Sequence, residues 1–351
     1  MILDNWEIFR QVDPEGMLEE IDHLPDQLET AWRIGQQHTL PAWEDLSQVV
    51  IVGMGGSAIG GDLLQAYAAP IATVPIVVWR NYELPAFAGE STLVIASSHS
   101  GNTEEVVSAF KRALEAGVRV MAVTTGGRLA DLAAEADVPL WLFEHAGQPR
   151  AAVGFSFALL LAVVSRLGIV PDPSDEMQDA IATMRSQQES LRARVPVVQN
   201  PAKRMAGQLI DRCPVVIGAD HLAPVARRWR TQISEIAKAV AQFEELPEAD
   251  HNMVAGVSNP ESLFASSMLV FLRGSQCYPR NVLRTEITRQ IFMVEGFNTD
   301  EISAQGGTRL AEQWSCLHFG DYVAYFLAMS YGVDPTPVHA IKELKGLIAK
   351  G

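Results

Sequence analysis

Short apolar runs alternate along this chain with longer stretches whose apolar residues recur at helical spacing. Val49-Val50-Ile51-Val52, Pro75 to Trp79 and Leu93-Val94-Ile95-Ala96 are short and rich in Val and Ile. Such runs, without polar alternation, predict strands buried on both faces of a parallel sheet. Ala- and Leu-rich helical stretches separate them, such as Val106 to Ala116. From Val49 to about Gly168 the order strand, loop, helix repeats, which predicts a doubly wound α/β unit. Residues 1 to about 45 read as a helical lead-in, with Trp32, Ile34 and Leu40 available for packing. Ala151 to Val164 is apolar but stops at Ser165-Arg166, short of the ~20 residues that span a bilayer, and reads as a buried helix.

Pro171-Asp172-Pro173-Ser174 interrupts the pattern, and a polar helical segment from Glu176 to Arg194 follows, ended by Pro196. Then the pattern restarts. Pro214-Val215-Val216-Ile217-Gly218 parallels the first strand and its glycine, Met268 to Leu272 parallels Leu93 to Ala96, and Asn281 to Val294 parallels Thr103 to Ala116. Thr125-Gly126-Gly127-Arg128-Leu129-Ala130 recurs as Gln305-Gly306-Gly307-Thr308-Arg309-Leu310-Ala311. The matched order argues for a diverged internal duplication. The expected division is a helical lead-in plus a first α/β domain over residues 1–170, then a linker helix, a second α/β domain and a C-terminal helix over 171–351. In the second copy Asp220-His221-Leu222 stands where the first has Gly-Gly-Ser.

The candidate chemistry begins at Ser97-Ser98-His99-Ser100-Gly101-Asn102-Thr103-Glu104-Glu105, between a strand and a helix. Free backbone N–H groups and the positive end of the helix dipole favour an anion there. The hydroxyls of Ser98, Ser100 and Thr103 can donate to phosphate oxygens, and the loop holds no Lys or Arg. A plain Ser/Asn helix cap is the alternative. A second loop, Gly53-Met54-Gly55-Gly56-Ser57-Ala58-Ile59-Gly60-Gly61, follows the first strand and has the same logic. It contains G-x-G-x-x-A, so a dinucleotide site must be weighed. That site wants an acid at the end of the next strand. Arg80 stands there, which suits only an NADP 2′-phosphate.

The two loops in this order, Gly-Met-Gly-Gly-Ser-Ala-Ile-Gly-Gly and Ser-x-Ser-Gly-Asn-Thr-Glu-Glu, resemble the sugar isomerase (SIS) domain. Arg80 to Pro85, Gln148-Pro149-Arg150-Ala151-Ala152, Glu244 to Asn252 and Val333 to Lys345 extend the likeness to the bifunctional phosphoglucose/phosphomannose isomerases over nearly the whole chain. The resemblance implies two tandem flavodoxin-like SIS domains, each a parallel sheet flanked by helices. It implies an aldose–ketose isomerase of hexose 6-phosphates that works through an enediolate, without metal or cofactor. On it, Gly55, Gly56, Ser57, Ser98, Ser100 and Thr103 hold the phosphate. Glu235 moves the proton between C2 and C1, Arg150 stabilises the enediolate, and His251 and Lys345 open the ring. In relatives this histidine enters from the partner subunit, so a homodimer with shared active sites is expected.

Residue by residue, other readings stand beside these. Glu235 also reads as a solvated helix glutamate paired with Lys238, and Ser234 and Ile236 stand where the family has asparagines. His251 also reads as a histidine in a polar capped turn, Arg150 as a surface arginine at a helix start, and Lys342 competes with Lys345. A non-catalytic sugar-phosphate-binding protein and an NADP-dependent oxidoreductase are the rival functions.

Composition adds three limits. The net charge of −15 argues against nucleic acid and repels an anionic substrate at long range, so local dipoles and a few cations must hold it. Cys213, Cys277 and Cys316 form no framework and suit a reducing cytoplasm, and no signal or membrane segment opens the chain. His23, His38, His99, His145, His221, His318 and His339 show neither H-x-H nor H-E-x-x-H, which argues against a zinc-dependent isomerase.

Overall fold

A computed structural model describes residues 2–348. The chain forms two compact units. One comprises His23–Arg185 and Gln305–Trp314; the other takes the chain up to Asp22, Ser186–Ala304 and the chain from Ser315 onward.

Helices α1 (Trp6–Val12) and α2 (Met17–Asp22) open the chain, and α3 (Leu24–Gln37) opens the first-sheet unit. The buried stripe of α3 is Leu24, Leu28, Ala31 and Gly35. Trp32, Ile34 and Leu40, expected to pack, are only half-buried. The stripe instead follows the helical spacing that faces the core. Then come β1 (Gln48–Val52), α4 (Gly55–Ala68), β2 (Ile76–Trp79), β3 (Thr92–Ser98), α5 (Glu104–Ala116), β4 (Arg119–Thr124), α6 (Gly127–Glu135) and β5 (Leu140–Leu142). The strands are parallel in the order β2-β1-β3-β4-β5. Every residue of β3 is buried, as a central strand covered on both faces requires. β3 runs two residues past the apolar run, because Ser97 and Ser98 still pair with Val123 and Thr124. A 3₁₀ turn (Pro149–Ala151) leads into α7 (Val153–Arg166), whose residues 153–164 are all buried. The helix α8 (Ser174–Leu191) follows.

The second sheet repeats the first. After α9 (Pro201–Leu209) come β6 (Cys213–Ala219), α10 (Ala223–Ile236), β7 (Gln242–Leu246), α11 (Ser262–Ser266), β8 (Ser267–Arg273), α12 (Pro279–Val294) and β9 (Asn298–Ser303). The order β7-β6-β8-β9 is parallel throughout and equals β2-β1-β3-β4 of the first sheet. The register agrees as well: Val52 lies beside Ala96, and Ile217 beside Phe271. The helices α13 (Arg309–Tyr331) and α14 (His339–Ile348) close the chain. In the second unit Arg228 on α10 and Asp321 on α13, both almost fully buried, form a two-pronged ion pair at 3.1 and 2.6 Å.

Candidate active site

The candidate anion site lies in the first-sheet unit, where two strands end and two helices begin. β1 and β3 are parallel neighbours, so the loops that follow them leave the same edge of the sheet. The loops touch: the His99 backbone N–H donates to Ser57 Oγ at 3.2 Å. That bond uses a lone pair of the Ser57 oxygen and leaves its O–H to donate. Within the second loop, Ser98 Oγ accepts from the Gly101 N–H at 3.2 Å and donates to Thr103 Oγ1 at 3.0 Å. Ser100 Oγ accepts from the Asn102 N–H at 3.2 Å. These serines cap their own turn. They do not cap α5, whose N-cap residue Thr103 makes no side-chain bond to the first turn, and neither does Met54 at the start of α4. Two helix N-termini therefore present first-turn N–H groups and positive dipole ends at one sheet edge, among hydroxyls.

The loops are held rigidly. A Cβ on Gly101 (φ +65°) would lie 1.8 Å from the Gly126 carbonyl oxygen, so only glycine permits this approach of two backbones. Leu129 N–H donates to Gly101 O at 2.9 Å, and Arg128 N–H to Asn102 Oδ1 at 3.0 Å.

Arg150 is brought to the same region by backbone packing. A Cβ on Gly56, in the first turn of α4, would lie 2.5 Å from Pro149 O and 3.2 Å from Arg150 Cα. The turn carrying Arg150 thus rests directly on the start of α4. Gln27 on α3 clamps that turn: its Nε2 donates to Ala151 O at 3.0 Å, and its Oε1 accepts from Gly154 N–H at 2.8 Å. Arg150 itself is 4% exposed, so it is not the surface arginine of the alternative reading.

The second sheet offers an internal control. Asp220 has the same left-handed backbone as Gly55, φ +51° against +50°. Its carboxylate accepts from the Tyr278 N–H and from Asn281 Nδ2, each at 2.8 Å, at the start of α12. Here the chain supplies its own anion to the helix N-terminus that corresponds to α5.

Glu235, His251 and Lys345 lie in the second-sheet unit. Glu235 is half-buried near the end of α10. Ile236 is fully buried in the core and, one helical step on, turns about 100° away from it. Lys238 Nζ donates to the Glu235 carbonyl at 2.6 Å and to Pro335 O at 3.2 Å, so it caps the end of α10 through main chain. His251 ends the 3₁₀ turn Glu248–His251 and is exposed. The turn is anchored beneath it, with Asp250 accepting from Arg284 at 2.8 Å and Thr288 at 2.7 Å. Lys345 and Lys342 are both exposed on α14. Among the described residues, no group of three or more His, Cys, Asp or Glu side chains is placed to hold a metal, and no helix is long and apolar enough to cross a membrane.

Comparison with known proteins bears on this geometry. A profile of the bacterial phospho-glucose isomerase C-terminal SIS domain matches residues 198–348. A bifunctional phosphoglucose/phosphomannose isomerase of Caldicellulosiruptor bescii is 37% identical over 338 residues, 95% of this chain and 99% of that one. The chain belongs to the bifunctional phosphoglucose/phosphomannose isomerase family. The Aquifex aeolicus protein of that family is 33% identical over 316 residues, 88% of this chain and 94% of that one. The fold is shared with a glucose-6-phosphate isomerase like protein from Thermus thermophilus (TM-score 0.66, 20% identity, 96% of this chain and 98% of that one).

In this member of the phosphoglucose/phosphomannose isomerase family, Arg80 is engaged by α4. It is ion-paired with the nearly buried Asp62 on α4 and also donates to Ala58 O at 3.4 Å. Three contributors escaped the sequence reading. Gln27 lies more than 120 residues before the turn it clamps. Asp220 was visible only as a replaced Gly-Gly-Ser, with no sign that it bonds Tyr278 and Asn281. His99 was visible inside the serine loop, but its ring partner, His145 at 2.9 Å, is 46 residues away.

Proposed function

We propose that this protein interconverts glucose 6-phosphate and mannose 6-phosphate with fructose 6-phosphate through an enediolate. The observation that carries the reading is the pair of side-chain-uncapped helix N-termini at one sheet edge, lined by Ser57, Ser98, Ser100 and Thr103, beside buried Arg150. Family membership supplies the reaction class. The phosphate is the handle: N–H groups of Gly55 and Gly56 and the four hydroxyls fix it, and that binding energy orients the reacting carbons. His251 and Lys345 move protons at O5 and O1 to open the ring. Glu235 carries the proton between C2 and C1 as general base and then acid. Arg150, buried and pre-positioned, stabilises the negative charge that develops on the enediolate oxygens. Every acid–base group required is a side chain of the protein.

The working form is proposed to be a cytoplasmic homodimer in which His251 serves the site of the neighbouring subunit. Three free cysteines suit that reducing compartment, and the charge of −15 disfavours nucleic acid as a partner. A coupled assay on glucose 6-phosphate and on mannose 6-phosphate, with chelator present, should show turnover of both. Tight fructose 6-phosphate binding with no turnover of either sugar would favour a non-catalytic sensor instead.

A further inference from the structure

Helix α12 carries its apolar face outward. Its buried stripe is Asn281, Thr285, Thr288 and Phe292, polar in all but the last position. The opposite stripe is Leu283, Ile287, Ile291 and Val294, all apolar. Leu283 is 41% exposed, Ile287 45% and Val294 79%. A helix that only covered its own sheet would show the reverse arrangement. Leu283, Ile287 and Ile291, with Val254 of the 3₁₀ turn Met253–Gly256, line a groove of about 260 Å³. Contiguous exposed apolar surface of this kind marks a place where another macromolecule sits.

The charges at the ends of α12 say which one. Arg280 lies in the first turn, at the positive pole of the helix dipole, and Glu295 caps the other end, at the negative pole. Each stands at the pole that repels it. Among the described residues neither makes an ion pair, and a helix rise of about 22 Å keeps them from each other. A second α12 laid antiparallel on the first brings Glu295 and a negative pole to Arg280, and Arg280 and a positive pole to Glu295. The same operation sets the two apolar stripes face to face, with Ile287 near its own counterpart at the middle. Such self-complementarity is what a two-fold contact between identical chains requires.

We propose that a second copy of this chain covers the outward face of α12, helix on helix and antiparallel across a two-fold axis. The proposal rests on, and deepens, the reading that His251 serves the neighbouring subunit. His251 is exposed, and its turn stands on the middle of α12, where Asp250 accepts from Arg284 and Thr288. The contact therefore places both His251 turns at the seam between subunits, from which a side chain can enter the partner's site.

Analytical ultracentrifugation of the whole protein measures the contact. Wild type should be a dimer at micromolar concentration. Ile287→Glu sets two carboxylates near the axis and should weaken that dimer about a hundredfold or more, while the exposed position lets the chain fold as before. Charge reversal is the specific test. Arg280→Glu or Glu295→Arg alone should weaken the dimer roughly tenfold, because each puts two like-charged pairs into the contact. Either change improves α12 as an isolated helix, so a weaker helix does not explain the loss. Both reversals in one chain should restore most of the affinity. A monomeric wild type, a dimer untouched by Ile287→Glu, or no recovery in the double variant overturns the proposal. A dimer that survives Ile287→Glu and is lost in Leu344→Glu overturns it too, and moves the contact to the exposed face of α14. Turnover of glucose 6-phosphate separates this contact from the reading beneath it. Ile287→Glu monomers that bind inorganic sulfate but are inactive support both. Fully active monomers leave the α12 contact standing and refute the delivery of His251 across it.

Discussion

The Gly56→Ala substitution tests whether the start of α4 sets the position of Arg150. The added methyl would sit 2.5 Å from Pro149 O, 3.0 Å from Pro149 C and 3.2 Å from Arg150 Cα. All three are backbone atoms, so no side chain can swing away. To reach an ordinary contact of 3.4 Å, helix and turn must separate by about 0.9 Å. The turn resists, because Gln27 bonds it on two sides and Ala151, Ala152 and Val153 are buried. Overpacking of this kind costs about 1–3 kcal/mol of stability. The functional cost should be larger in proportion. A catalytic group misplaced by about 1 Å loses on the order of 10²-fold in rate. The expected result is a folded protein, a few degrees less stable, with kcat on glucose 6-phosphate down roughly a hundredfold in a dehydrogenase-coupled assay. Gly207→Ala on α9 is the control. Its Cβ would meet nothing within 4 Å, and the change should leave turnover intact and add about 0.4–1 kcal/mol of stability. A Gly56→Ala protein with wild-type kcat and melting temperature would refute the argument that this contact positions Arg150.

Removing Ser98, Ser100 and Thr103 hydroxyls together, as the triple alanine variant, should weaken fructose 6-phosphate binding, each bond to the charged phosphate being worth about 1.5–3 kcal/mol. Crystals soaked in sulfate should carry the anion beside these residues, and an anion found at Asp220 would contradict the assignment. Glu235→Gln should bind fructose 6-phosphate yet lose at least about 10²-fold in exchange of the C2 proton with solvent; full exchange removes Glu235 as the base. Mixing inactive Glu235→Gln chains with inactive His251→Ala chains should restore activity towards about one quarter of wild type if His251 serves the partner's site, since half of random dimers then hold one intact site. A mixture that stays inactive after proven subunit exchange would place His251 in its own chain's site. His318 is fully buried, and burial lowers its pKa to about 4. It stays neutral in the folded protein while the unfolded chain protonates below about pH 6.5, so stability should fall as pH drops from about 6.5 to 4, by roughly 3 kcal/mol in total. Urea midpoints should show that loss, and His318→Gln should reduce the slope; an unchanged slope would assign the acid sensitivity to other groups.

Much of this protein was legible along the chain because its signals are local. Apolar runs such as Val49–Val52 and Leu93–Ala96 can be strands only where both faces are buried, so they announced a parallel sheet covered by helices. The serine loops declared an anion site because strand end, glycine, hydroxyl and helix start are consecutive residues. The duplication was visible as a repeated order of such segments, and the sheets β2-β1-β3-β4 and β7-β6-β8-β9 repeat it strand by strand. What escaped were relations between residues far apart in sequence. Nothing near Arg80 shows that Asp62 takes it, and nothing near Pro149 shows that Gln27 and Gly56 pin the turn that buries Arg150. The lead-in helix offered Trp32 and Ile34, yet Leu24, Leu28 and Ala31 face the core, since the buried stripe depends on what the helix packs against. Asp220 and Gly55 share one backbone conformation and differ in what they offer the neighbouring helix start: a carboxylate that bonds Tyr278 and Asn281 in one copy, and no side chain in the other. Local pattern settles which segments become strands, helices and anion loops. The charge and orientation of the groups around those loops arise only when side chains from distant segments are brought within hydrogen-bonding distance.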